Sequence, residues 1–466
     1  MLLNNTFHLN SSVIKISLDK VALLIWLLVT FYFTIHFSLW RDESNVIKND
    51  VISYYAYLPA TFVHKDIDLS YWEDLEPNLQ NKLFYELLDD GSRLIKTSMG
   101  VSMFYAPFFI PAHQYAILSP DHLANGYSLP YRLAIQLSTI VFLFFGLNYL
   151  RKFLLAYFSS GTVFLTLITV SLGTNLMNYT VFEAGMSHPY CFFLLSALLF
   201  YFDAWLKNEK PANIYKFGFL FGWLVLSRPI NGLFLLFFIA WGLSHFGNLK
   251  ASGNWLHKKS KAVFKAVLIA LLVVSPQLIY WKLFSGEWFF NSYRNEPFFF
   301  ADPKILEGLF SYRKGWLVYT PIMIFSILGW FIPQNKKLKS RIPSILIFLI
   351  YIYFLFSWWT WWYGGSFGMR TMIDLYPILA ISIAMFFHWL FKRKLIFSTA
   401  LIAICGFLIY LNFFQQYQYR EKLIHYDSMN KKTYWGVFLK KDYPENYWED
   451  LSHPNYGAAK QGERDL

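Results

Sequence analysis

Apolar runs of roughly 18–20 residues recur along most of the chain, and that length spans a bilayer core as a helix. They fall at residues 21–40, 131–150, 161–181, 188–206, 213–227, 230–246, 265–284, 316–333, 342–360, 372–391 and 395–413. The 466 residues are 56% hydrophobic, 21% aromatic and 15% charged, which is too apolar for a soluble globular protein of this length. The expectation is an all-α polytopic membrane protein of about 11 transmembrane helices. No small-residue cleavage site follows the first run, so it is expected to stay as a helix rather than act as a signal peptide. Cys191 and Cys405 both lie inside apolar runs and read as small core residues, not as a disulfide or metal site.

Charge sets the expected orientation. With the N-terminus inside, the inner segments carry Lys15, Lys20, Arg151, Lys152, Lys207, Lys210, Lys250, Lys258, Lys259, Lys261, Lys265, Lys336, Lys337, Lys339, Arg341, Lys392, Arg393 and Lys394. Against them stand only Asp19 and Glu209. The net charge of +12 therefore points to basic loops on anionic lipid and away from nucleic acid.

Some stretches do not fit the simple pattern. "VSMFYAPFFIPAHQYAIL" (101–118) is nearly long enough to cross, but a crossing would leave a basic-free inner loop and move Arg151 and Lys152 outside. It reads as a re-entrant or interfacial segment, with 12–13 crossings as the alternative. The first outer loop, 41–100, is acid-rich. Within it "LEPNLQNKLFYELL" places Leu75, Leu79, Leu83 and Leu87 four apart, with Phe84 and Leu88 beside them and Pro77 near the start. That pattern predicts an amphipathic helix on the outer surface. Residues 1–413 form one membrane domain on this reading, and the polar, Tyr-rich tail, 414–466, is expected outside.

With that topology, the chemistry-bearing residues gather on the outer face. Asp50 lies in "KNDVISYYAYLPA", Lys96 in "RLIKTSMG", Glu183 and His188 in "NYTVFEAGMSHPY", Arg228 in "LSRPING", and Arg370 ends "WWTWWYGGSFGMR". Cations at Lys96, Arg228 and Arg370 suit a lipid-linked phosphate. Tyr54, Tyr55, His188, Trp362 and Tyr363 offer aromatic faces and hydrogen bonds for a sugar. Asp50 is placed to be a base for a hydroxyl acceptor, with Asp42 and Glu43 as competitors. Each also has a plain structural reading: a helix cap, a snorkelling lysine, an aromatic belt.

These residues resemble the GT-C superfamily of integral-membrane glycosyltransferases, nearest the branch of protein mannosyltransferases and lipid A aminoarabinose transferases. Family members carry a catalytic aspartate in the first outer loop with a tyrosine four residues on, and "DVISY" keeps that spacing, with Val51 where a second acid is often found. "IKTSMGVSMFYAPFF" looks like the element whose lysine contacts the lipid phosphate. Glu183 matches a second acid found between the third and fourth spans in several members. The resemblance implies a GT-C-like bundle, a polyprenyl-phosphate sugar as donor, a glycan, lipid or protein hydroxyl as acceptor, Asp50 as general base with Glu183 as second catalytic acid, and an active site facing the periplasm of a bacterial inner membrane. It requires no cofactor and allows a divalent cation bridging Asp50 and Glu183. A lipid-glycan transporter and a polysaccharide polymerase or ligase are the rival readings.

Overall fold

Each of the predicted apolar runs lies on helix in the computed structural model, which describes residues 17–74, 83–89, 91–333 and 338–464. Among these residues, seven helices are long and apolar enough to cross a membrane: Leu18–Arg41, Leu129–Leu155, Ser187–Asn208, Pro229–Phe246, Leu249–Ser285, Arg370–Leu390 and Leu395–Arg420. The protein is thus an all-α polytopic membrane protein with one small hairpin. The other four expected spans are shorter. The helix Arg341–Ser357 is unbroken, whereas the 161–181 run is two helices, Ser160–Leu172 and Leu176–Val181, parted at Gly173. Pro211–Ser227 has 17 residues. The run 316–333 is split at Thr320–Pro321, where Pro321 has no N–H to continue the ladder.

Helices here approach through small residues, as apolar helices in lipid must when no hydrophobic effect drives them together. Gly218 and Gly222, one turn apart on Pro211–Ser227, face Ala266 and Ala270 on Leu249–Ser285. A Cβ at Gly218 would sit 2.2 Å from the Ala266 carbonyl oxygen, and one at Gly222 2.6 Å from that of Ala270. Gly329 packs in the same way on the Ser382 carbonyl.

Polar contacts sort the loops into two ends. At one end Arg151 pairs with Asp19 at 2.5 Å, and Ser160 donates to the same carboxylate. Lys207 pairs with Asp203 at 2.7 Å, Lys259 with Glu209 at 2.6 Å, and Lys339 donates to the His245 carbonyl. These belong to the basic segments expected inside. Lys15, Lys336 and Lys337 fall outside the described residues.

Two local expectations need correcting, and a third segment gains its form. The amphipathic helix proposed from Leu75 does not extend through Leu83–Leu88: Tyr85–Leu87 is a strand paired antiparallel with Arg93–Ile95. Gly91, at φ +85°, closes the turn with Leu88, and no L-residue adopts that angle as readily. Leu94 and Ile95, on opposite faces of the strand, are both buried. Its first half, with Leu75, Pro77 and Leu79, lies outside the described residues. The segment around 101–118 forms one helix, Ser102–Leu118, which carries Pro107 and Pro111 and packs on Leu129–Leu155. The basic stretch before residue 265 is not a loop. It is the first part of a 37-residue helix started by Asn248, whose side chain accepts from Ala251 N–H.

The tail is folded onto the end opposite the basic loops. The last long helix runs to Arg420, beyond the expected 413, with Asn412, Gln415, Gln416 and Gln418 buried. Leu423, Ile424, Met429, Tyr434, Val437, Tyr447 and Leu451 then form a second core with Tyr319 and Phe367. Arg464, 1% exposed, donates to the Asp302, Phe356 and Trp358 carbonyls.

Candidate functional site

Asp50 opens a six-residue helix, Asp50–Tyr55, whose other residues are buried. Burial of Val51 through Tyr55 leaves the first side chain at the rim. The Asp50 side chain keeps 30% of its exposure, and its Oδ2 lies 2.8 Å from Arg370 Nη1. No partner for Oδ1 is present among the described residues. Arg370 follows the "YGGSFG" turn, in which Tyr363, Gly364 and Gly368 take positive φ, so the chain doubles back at the foot of the Tyr376–Leu390 helix. A Cβ at Gly368 would stand 3.0 Å from that of Tyr319.

Behind this pair lies a buried polar network. The Tyr54 hydroxyl reaches Ser187 Oγ at 3.5 Å, and Arg228 Nη1 reaches the same oxygen at 3.3 Å. Arg228 Nε stands 3.0 Å from Asp374 Oδ2. The other Asp374 oxygen is 2.7 Å from His188 Nδ1, and Asn231 donates to Oδ2 at 3.0 Å. Tyr351 completes the set by donating to Asn231 Oδ1 at 2.8 Å. A charge this deep is tolerated because each Asp374 oxygen has a hydrogen-bond partner and Arg228 lies beside it.

Lys96 closes a second side. Its ammonium contacts Glu296, lies 3.7 Å from Glu86 Oε1 and sits 5.0 Å from the Tyr293 ring centre. Trp359 Nε1 donates to the other Glu296 oxygen at 2.9 Å. Tyr293 in turn lies within electrostatic reach of Tyr54, Asp50 and Arg228.

Glu183 stands on a third side. It accepts from Tyr419 at 3.0 Å and from Asn178 at 3.1 Å. Lys314 lies nearby, 1% exposed, donating to the Ser366 carbonyl. Burial pushes this amine down to about 7, partly offset by Asp427 and Glu183.

The predicted residues are therefore not all in one place. Asp50, Tyr54, Arg228 and Arg370 come together, with Tyr363 within reach of both arginines. Lys96 flanks them through Tyr293. His188 is fully buried and serves Asp374. Tyr55 turns away: its hydroxyl bonds the Gly126 carbonyl and its ring packs on Tyr105, Phe109 and Tyr127. Trp362 is 1% exposed, under Arg313 and against Tyr456 of the tail. Asp42 is engaged in its own turn, accepting from the Ser44 amide and hydroxyl and from Asn45, and these bonds hold its carboxyl below the usual range. Asp50 is held by Arg370, and both Glu183 oxygens are engaged.

Sequence reading missed Asp374, Glu296, Tyr293 and Lys314. A carboxylate four residues after Arg370, just before an apolar run, is a signal that finds Asp374, because a charge entering a membrane span needs a partner. Glu296 and Tyr293 lie in a loop whose pairing with Lys96 no local pattern encodes.

Comparison of the chain with protein-family models and with curated proteins finds no match.

Proposed function

We propose that this protein is a glycosyltransferase of the GT-C kind that moves a sugar from a polyprenyl-phosphate donor to a hydroxyl acceptor at the outer, periplasmic face of a bacterial inner membrane. The observation that carries the reading is the Asp50–Arg370 pair, open on one side and ringed by Tyr54, Arg228, Tyr293 and Lys96 at the end of the bundle away from the basic loops. In this mechanism Asp50 takes the proton of the acceptor hydroxyl as that oxygen attacks the anomeric carbon. The bond from that carbon to the phosphate oxygen breaks, its electron pair leaves with the polyprenyl phosphate, and the configuration inverts. Arg370, Arg228 and Lys96 supply cations for the leaving phosphate. Each now rests on a carboxylate (Asp50, Asp374 and Glu296), so charge is balanced before donor arrives.

The test is transfer or hydrolysis of labelled polyprenyl-phosphate sugars by the purified protein in lipid, wild type beside Asp50→Asn. Turnover by wild type alone supports the reading. Equal turnover by both moves the base to another carboxylate. Tight donor binding without turnover, across a panel of hydroxyl acceptors, favours a lipid-glycan transporter instead.

A further inference from the structure

The tail carries a cluster that the proposed reaction does not use. His425, Asp427 and His453 each present one ligand atom, and these atoms lie within 4.8 Å of one another. His425 Nδ1 and Asp427 Oδ1 are 3.3 Å apart. In a tetrahedral shell with bonds of about 2.0–2.2 Å, neighbouring donors stand roughly 3.4 Å apart. The two therefore already hold the spacing of ligands on one ion.

His425 Nδ1 also faces the amide N–H groups of Asp427, at 3.4 Å, and Ser428, at 3.2 Å, which marks it as the lone-pair nitrogen. A lone pair and a carboxylate oxygen facing each other at 3.3 Å repel unless a proton or a cation lies between them. The other Asp427 oxygen accepts from Tyr456 at 2.7 Å, and Ser428 Oγ bridges Asp427 and His453 at 2.7 and 3.0 Å. The Tyr456 bond, on the oxygen turned away from His425, is an outer contact of the kind that orients a metal ligand.

We propose that His425, Asp427 and His453 bind one divalent transition-metal ion of the zinc class, which staples the chain near 425 to the chain near 453. Two imidazoles and one carboxylate suit zinc and its neighbours rather than magnesium or calcium, and three protein ligands leave a fourth position for water. The staple lies beside the turn that leads to Arg370. The Tyr426 carbonyl accepts from the Ser366 amide, Arg313 grips the Asp427 and Ser452 carbonyls, and Tyr456 packs on Trp362.

The test uses tag-free, full-length protein in detergent, with zinc ion alone as the probe and no sugar substrate. Metal content after dialysis and competition with a chromophoric chelator give stoichiometry and affinity at pH 7.5. About one zinc per chain is expected, with zinc raising the thermal unfolding midpoint of wild type. His453→Ala, at an exposed position, should fold as wild type does in chelator, lose affinity by more than about a hundredfold and show no zinc-dependent shift. His425→Ala should behave likewise. Failure of wild type to bind, or equal binding by wild type and His453→Ala, overturns the proposal. Because no turnover is read, the result is independent of the proposed activity.

Discussion

Arg370 Nη1 lies 2.8 Å from Asp50 Oδ2, so the first outer loop and the turn entering the Arg370–Leu390 span are joined at the rim of the site. If Asp50 is the base, Asp50→Asn keeps the shape and removes the proton acceptor. It is expected to lower kcat by about 10²–10⁴ with little change in donor KM. Arg370→Gln should instead raise donor KM. Steady-state kinetics with labelled donor checks both, and an unchanged kcat in Asp50→Asn would sink the assignment.

Asp374 is the hub of the buried network. Asp374→Ala leaves Arg228 and the buried His188 without their anion, so a loss of about 3–5 kcal/mol is expected. Pairing it with Arg228→Met should recover part of that loss, since the uncompensated charge is then gone. Denaturant unfolding in detergent measures both variants. A fall below about 1 kcal/mol in the single variant contradicts the network's role.

At the Gly218 and Gly222 contact, a side chain has nowhere to go but into the backbone of the facing helix. Gly222→Val should cost about 1–3 kcal/mol or force the helices apart. Gly232→Ala, whose nearest neighbour is a Val225 methyl at 3.7 Å, serves as the control and should be near neutral. Thermal unfolding midpoints distinguish the two, and equal tolerance would mean that the close approach is absent.

Lys314 makes stability depend on pH with a predictable sign. Its folded pKa is depressed to about 7, below its ordinary value of 10.5. Between those values the unfolded chain binds a proton that the folded chain does not, so stability rises as pH increases from about 7 to 10.5. The slope is at most about 1.4 kcal/mol per pH unit. Below 7 both states are protonated and this contribution is flat. Lys314→Met should lose the rise, as followed by thermal unfolding from pH 7 to 10. An identical pH profile for wild type and variant would refute the burial argument.

Much of the architecture was legible because membrane spans are local: hydropathy over one run marks a helix whatever it packs against. The asymmetry of lysine and arginine sorted the loops, and the two ends seen in the folded chain follow that sorting. The Leu83–Leu88 stretch failed because a period of four competes with a turn at Gly91 and with pairing to Arg93–Ile95, which lies beyond any helical window. Asp50 and Arg370 stood out as charges beside spans, yet their pairing did not.

What the chain determined alone, then, is the helical class, the position of its spans and the end on which its charged chemistry gathers, since each depends on short stretches meeting lipid or water. The tertiary structure alone decided that Asp374 anchors His188 and Arg228, that Tyr55 turns into the core, and that the tail brings His425 and His453 together. Those outcomes depend on which buried polar group finds which partner, and such groups are paired by three-dimensional proximity, not by their spacing along the chain.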